Sequence, residues 1–145
     1  RAMMSLRLDK FFGSWLSEFS PDYTAAETGL DRFISFKKET QFIGRAAAEA
    51  ERDAGPSRKL CAFIVGADDA DVVAYEPIWL DGAVVGFCTS GGYSHYTEKS
   101  IALGFVPTDR AHDGLEVEIE ILGEMHKAQL ITTVLFDGDG ARMRG

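Results

Sequence analysis

Alternation between apolar and polar residues is the clearest pattern in the second half of the chain. In residues 115–121, Leu, Val, Ile and Ile alternate with three glutamates, as in a strand with one buried face. Asp81-Gly82 separates two apolar segments and predicts a tight hairpin, because this dipeptide favours the type I′ turn. Several short strands at close spacing predict a small barrel or sandwich. The other predicted strands are residues 60–66, 78–80, 83–88, 100–106 and 126–132.

The first half of the chain has weaker, mixed patterns. Residues 43–54 place alanines on one face and end at Gly55-Pro56, which predicts a helix. Thr24 and Glu27 have the spacing of a capping box and predict a short helical turn. Residues 32–37 alternate between two faces and predict a strand.

Composition and charge narrow the classes of function. The chain has 145 residues, of which 46% are hydrophobic, as expected for a globular unit with its own core. A net charge of −8 provides no basic excess for nucleic acid. Because no stretch reaches about 18 consecutive apolar residues, no membrane partner is expected. Cys61 and Cys88 lie in apolar runs and predict free thiols in a reducing, cytoplasmic compartment.

Motifs that carry chemistry are few. The glycine-rich residues 89–93 match neither a phosphate loop nor a dinucleotide-binding motif. They predict a β turn or bulge, with an anion-binding loop as the alternative. The basic pair Arg58-Lys59 either binds an anionic group or is exposed to solvent. Trp15 lies among phenylalanines and either packs in the core or stacks on a flat heterocycle. The three histidines lack zinc-ligand spacing, so no metal site is predicted.

Five sequence blocks, in order, resemble the folate-binding aminomethyltransferase family, which includes the T-protein of glycine cleavage. Within that family the chain looks most similar to the C-terminal region of dimethylglycine and sarcosine dehydrogenases. This second resemblance rests on residues 1–3, on Ser14-Trp15 with Glu18, and on residues 90–94 and 135–137. The five blocks are SLRLDK at residues 5–10, ETGL at 27–30, FIGR at 42–45, GAVVGFCTSG at 82–91 and KSIALGFVP at 99–107.

The resemblance implies an α+β chain with two parts. Residues 1–56 would be the C-terminal part of the folate-binding aminomethyltransferase domain, ending a ferredoxin-like subdomain. Residues 57–145 would form the family's C-terminal domain, a small antiparallel Greek-key or jelly-roll β-barrel. The chain begins at Arg1 without an initiator methionine, and we expect it to be a piece of a longer protein.

The resemblance also implies a function for that longer protein. A flavin domain, with FAD, would oxidise a methylated amine, and tetrahydrofolate would accept the one-carbon unit. The family's catalytic aspartate lies in the N-terminal portion that is missing here, so no catalytic residue is expected in this chain and the chain alone is expected to be inactive. Trp15, Lys59 and Tyr93 are the candidate folate-binding residues. Met3 occupies the position of the aminomethyltransferases' ligand-binding arginine, which favours the dehydrogenase branch.

Two alternatives stay open at this point. The protein could be a stand-alone folate-dependent aminomethyltransferase or demethylase without a flavin domain. It could also be a non-catalytic folate-binding or assembly module, because a shared fold does not imply a shared activity.

Overall fold

The computed structural model describes residues 2–145. Arg1, one of the residues that carry the resemblance to the dehydrogenases and the start of the first predicted domain, lies outside the described residues. Single 3₁₀ turns occur at Asp31–Phe33 and Thr108–Arg110. The regular elements are α1 (Ala2–Asp9), α2 (Arg45–Ala54), β1 (Arg58–Val65), β2 (Pro77–Leu80), β3 (Ala83–Ser94), β4 (Lys99–Pro107), β5 (Glu116–Ile121), β6 (Glu124–Ile131) and α3 (Ala141–Arg144).

The six strands form a closed antiparallel barrel in the order β1-β4-β3-β2-β5-β6. The β2–β3 hairpin turns at Asp81 and Gly82, whose φ angles are 52° and 77°, as a type I′ turn requires. The β5–β6 hairpin turns in the same way at Leu122 and Gly123, with φ angles of 51° and 88°. The predicted α+β class with a C-terminal barrel is therefore confirmed.

The barrel core is filled by one face of each strand. Strand β5 shows the predicted alternation, because Val117, Ile119 and Ile121 are buried while Glu116 and Glu118 face solvent. The glycine-rich residues lie inside β3, where the register with β4 shifts between Cys88 and Ser90, so the predicted bulge is confirmed. The buried residues of the core include Phe63, Val65, Val72, Ile78, Cys88, Val106, Ala128 and Leu130.

The N-terminal segment packs against the outside of the barrel. Leu8 of α1 joins a second apolar cluster with Ala62 of β1 and with Ile101 and Leu103 of β4. Farther along, the Tyr23 ring stacks on Phe105 of β4, with 4.2 Å between ring centroids. These contacts cover the β1–β4–β3 side of the barrel and fix the segment that carries Trp15.

Two predictions for the N-terminal half need correction. Residues 32–37 form no strand but a 3₁₀ turn at Asp31–Phe33 followed by turns, because the six barrel strands close the sheet on one another without a seventh strand. Helix α2 begins at Arg45 rather than at residue 43, since Gly44 before it has a φ of 85°. The capping box at Thr24 is confirmed: its amide donates to the Glu27 carboxylate at 3.0 Å, and its hydroxyl accepts from the Glu27 amide at 3.1 Å.

Candidate functional site

Trp15 lies on a surface turn that follows α1. Its side chain is 80% exposed, so it is not the core residue that the phenylalanine-rich context allowed. The turn is attached to β3, because the Ser17 hydroxyl donates to the Thr89 carbonyl oxygen at 3.1 Å. An indole held at the surface in this way is available for stacking on a flat ligand.

Glu18 connects this turn to the bulge of β3. Its side chain is fully buried and accepts hydrogen bonds from the Ser14 amide at 2.7 Å, from the Thr89 hydroxyl at 2.7 Å and from the Ser90 hydroxyl at 2.5 Å. Arg7 of α1 lies 3.4 Å from the same carboxylate. One carboxylate therefore joins the helix, the turn of Trp15 and the bulged strand.

The surroundings of Glu18 keep it ionised. Burial raises its pKa, but the hydrogen bonds from Ser14, Ser90 and Thr89 and the charge of Arg7 together hold the pKa below its ordinary value of 4.5. Charged hydrogen bonds of this kind are stronger than neutral ones. The network therefore gives the Trp15 turn a fixed position.

Tyr93 lies at the far end of β3. Its side chain is 42% exposed, and its ring meets the His95 ring edge-on, with 5.2 Å between centroids. Its backbone carbonyl accepts a hydrogen bond from the Ser5 hydroxyl of α1 at 3.0 Å. Helix α1 and the Trp15 turn thus both attach to β3.

Lys59 is exposed at the start of β1 and lines a cavity of about 320 Å³, together with Phe11, Thr28 and Cys61. The neighbouring Arg58 is already engaged, because it pairs with the Glu27 carboxylate at 2.8 Å and its guanidinium lies 4.9 Å from the centre of the Tyr23 ring. Within residues 2–145, Lys59 takes part in no salt bridge. Of the basic pair, Lys59 is the cation available to an anionic ligand.

The structure does not bring Lys59 and Tyr93 together. Strand β4 lies between them, with Lys59 opposite Val106 and Tyr93 opposite Ser100. Six residues of strand separate these two positions, which is about 20 Å along β4. A ligand that reaches both residues must be elongated.

One feature of the site was not found from the sequence. The Glu18 network was missed, although a lone glutamate among aromatic residues and the Thr89-Ser90 pair beside two glycines were visible signals. Cys61 and Cys88 are free thiols, as predicted, and burial raises the pKa of Cys61 to about 11 and that of Cys88 to about 12. The described part of the chain contains no cluster of His, Cys, Asp or Glu able to hold a metal ion, and no helix there is long and apolar enough to cross a membrane.

Comparison with known proteins identifies the family. The family described as the glycine cleavage T-protein C-terminal barrel domain matches residues 58–137. These residues contain all six strands of the barrel. The chain belongs to this family. A solved structure titled glycine cleavage system aminomethyltransferase T, from Bartonella henselae, superposes with a TM-score of 0.85 at 23% identity and covers 94% of this chain. That likeness supports the fold.

Curated relatives extend the similarity beyond the barrel. The chain is 38% identical over 143 residues to mitochondrial dimethylglycine dehydrogenase of Mus musculus, across 99% of the chain. It is 31% identical over 136 residues to an aminomethyltransferase of Desulfitobacterium hafniense, across 94% of the chain. The chain spans 16% of the first protein and 37% of the second. The similarity therefore includes the segment with Trp15 as well as the barrel.

Proposed function

We propose that this chain is the C-terminal folate-binding part of a flavin- and tetrahydrofolate-dependent dehydrogenase. Its substrate would be a methylated amine of the dimethylglycine or sarcosine type. The observation that carries the proposal is the higher identity to dimethylglycine dehydrogenase than to aminomethyltransferase, over nearly the whole chain. The flavin and the catalytic groups would belong to further parts of that protein, and the expected cytoplasmic location stays a prediction.

The positions of the three candidate residues support an elongated ligand with an aromatic ring at one end and an anionic group at the other. A folate has a flat pterin ring at one end and an anionic glutamate tail at the other. Trp15 and Tyr93 are exposed aromatic residues connected to β3, where they could contact the ring. Lys59, about 20 Å from Tyr93 along β4, could contact the tail as a point charge. In this arrangement the chain binds and orients the ligand while chemistry takes place elsewhere.

A second candidate is a folate-dependent aminomethyltransferase without a flavin domain. The similarity to the aminomethyltransferase of Desulfitobacterium hafniense supports it. Met3 argues against it, because the resemblance places this residue where aminomethyltransferases have a ligand-binding arginine. Met3 is 80% exposed on α1 and cannot replace the charge of an arginine.

Calorimetric titration with tetrahydrofolate, under anaerobic conditions, tests the folate part of the proposal. The titration compares this chain with the protein encoded by the complete reading frame. We expect the complete protein to bind and the chain alone to bind at least ten-fold more weakly. In the complete protein, Trp15→Ala and Lys59→Ala should each weaken binding about ten-fold, while the exposed control Lys37→Ala should not. A flavin spectrum of the purified complete protein would separate the two candidates.

Other results would contradict specific parts of the proposal. Absence of binding by the complete protein would refute the folate assignment and favour a non-catalytic module. Full binding by this chain alone would show that the site does not need further residues. Binding without a flavin spectrum would favour the aminomethyltransferase.

A further inference from the structure

A groove opens on the outer face of the barrel, on strands β2, β5 and β6. Strand β2 pairs with β5 only through Ile78 with Ile119 and Trp79 with Glu118. Beyond Trp79 the β2–β3 hairpin has no partner on β5, and the gap forms a groove of about 560 Å³. This volume lies within the usual range of ligand sites, about 300–1,000 Å³. The groove therefore forms because the β2–β5 ladder ends at Trp79. The strand edges beyond that point line the groove.

The groove is acidic. Asp81, Glu116 and Glu118 line it, against the single cation Lys127. Within residues 2–145, none of these four side chains forms a salt bridge, although Glu118 and Lys127 are directly opposite in the ladder. Three carboxylates against one ammonium create a negative potential that favours a cationic ligand.

Trp79 gives the groove an aromatic wall. The residue is half-buried, and its indole Nε1 donates a hydrogen bond to the Glu120 carboxylate at 3.0 Å. This bond fixes the ring before any ligand arrives. A cation over an indole face gains about 0.5–2 kcal/mol, and a fixed aromatic ring loses little freedom on binding.

We propose that this groove binds an extended basic segment of a partner protein. An arginine of that segment stacks on Trp79 and pairs with Glu116 and Glu118. The segment's backbone lies along the strand edges that the short β2–β5 ladder leaves without a strand partner. Planar guanidinium groups suit both a carboxylate pair and an aromatic face. The inference is independent of the folate proposal, since it uses none of that site's residues.

The charge of the groove and its shape point to a peptide rather than another ligand. Nucleic acid would be repelled by three carboxylates. A small organic cation would use Trp79 and the carboxylates but not the strand edges. Lys127 marks the far side of the groove, and we expect it to weaken binding by repelling the ligand. Removing its charge should therefore strengthen binding.

Nuclear magnetic resonance titration of the ¹⁵N-labelled chain tests the proposal. The probe is the peptide acetyl-Arg-Val-Arg-Val-Arg-Gly-amide, and the control peptide has citrulline at the three arginine positions. We expect saturable shifts of the Trp79 indole signal and of the Glu116 and Glu118 amides. The Trp15 indole is an internal control and should not shift. The citrulline peptide should bind at least ten-fold more weakly, because it keeps the shape but loses the charge.

Substitutions of groove residues test whether the peptide binds in the groove. The double variant Glu116→Gln with Glu118→Gln should weaken binding about ten-fold, whereas Glu124→Gln at the exposed β5–β6 turn should have no effect. Lys127→Met should strengthen binding about three-fold. No saturable shift at millimolar peptide, shifts outside the groove, or equal binding of the citrulline peptide would each overturn the proposal. Equal affinity for argininamide alone would also overturn it, because the groove would then recognise a lone cation.

Discussion

Replacing Glu18 by alanine is expected to be one of the most damaging single changes in the chain. The change removes a fully buried carboxylate and leaves the Ser14 amide and the Ser90 hydroxyl without their acceptor, while the Thr89 hydroxyl keeps the Leu103 carbonyl oxygen at 3.1 Å. A hydrogen bond to a charged group contributes about 1.5–3 kcal/mol, and losing one partner of a buried ion pair costs about 3–5 kcal/mol. These losses overlap, and hydroxyls can turn to other acceptors. We therefore expect a loss of about 3–5 kcal/mol rather than the sum.

Urea unfolding followed by circular dichroism measures this loss. With a slope of about 2 kcal/mol per molar urea, the midpoint should fall by about 1.5–2.5 M. Glu18→Gln keeps the shape and one acceptor oxygen, so its loss should be smaller, about 1–3 kcal/mol. The matched control is Glu49→Ala, which removes the surface pair with Arg45 at 2.9 Å and should cost less than about 1 kcal/mol.

The reasoning fails if Glu18→Ala and Glu49→Ala lower the free energy of unfolding equally. That result would mean that solvent or a rearranged turn replaces every bond of the buried carboxylate. A second check is the fluorescence of Trp15, measured in the background of Trp79→Phe. The alanine variant should alter its emission under native conditions, because the turn that carries Trp15 loses its attachment to β3.

The lowered pKa of Glu18 predicts that the stability of the folded chain depends on pH. Because the pKa of Glu18 is lowered below 4.5 in the folded protein, its contribution to the free energy of unfolding is fully present above pH 4.5. The contribution is lost as the pH falls through the lower folded-state pKa. The pKa values of Asp113 and Asp137 are also lowered, so the test compares wild type with Glu18→Gln between pH 6 and pH 3. The stability difference should shrink on acidification, and a constant difference would contradict the assignment.

Two further predictions concern the barrel core. Cys61 and Cys88, with pKa values raised to about 11 and about 12, should react with a disulfide reagent at pH 8 much more slowly than in urea; fast reaction of the native chain would contradict their burial. Gly86→Ala should unfold the barrel at lower temperature than Gly138→Ala, because a Cβ at residue 86 would meet the Phe105 carbonyl oxygen, whereas at residue 138 the nearest atom lies 3.5 Å away. Equal melting temperatures would contradict that steric argument.

The elements that the sequence predicted correctly are those whose signals are local. The alternation in β5 reports burial on one face, and Asp81-Gly82 adopts the φ angles that a hairpin turn requires. The strand proposed for residues 32–37 failed because alternation alone does not supply a partner edge, and the barrel closes without one. The β2–β5 gap was also unpredictable, since ladder length depends on how the closed sheet twists.

Site residues depend even more on distant contacts. Glu18 and Ser90 are 72 positions apart in the sequence, and no local pattern shows that a glutamate after a tryptophan will be buried against a bulge. Lys59 and Arg58 look equivalent in sequence. Only the fold distinguishes them, because Arg58 is paired with Glu27 while Lys59 lines a cavity.

The two proposals use different residues of one barrel, and this separation has a consequence that can be measured. Trp15 and Tyr93 are connected to β3 and Lys59 lies at the start of β1, whereas the acidic groove lies between β2, β5 and β6 and reaches β1 only at Ile64. Coupling between the two sites would require the barrel to change its packing, and a closed core of buried residues resists small changes. In the complete protein, saturating the groove with the basic peptide should therefore leave the affinity for tetrahydrofolate unchanged within about two-fold. A larger change would mean that the barrel transmits binding from one site to the other, and the assumption of two independent sites would be wrong.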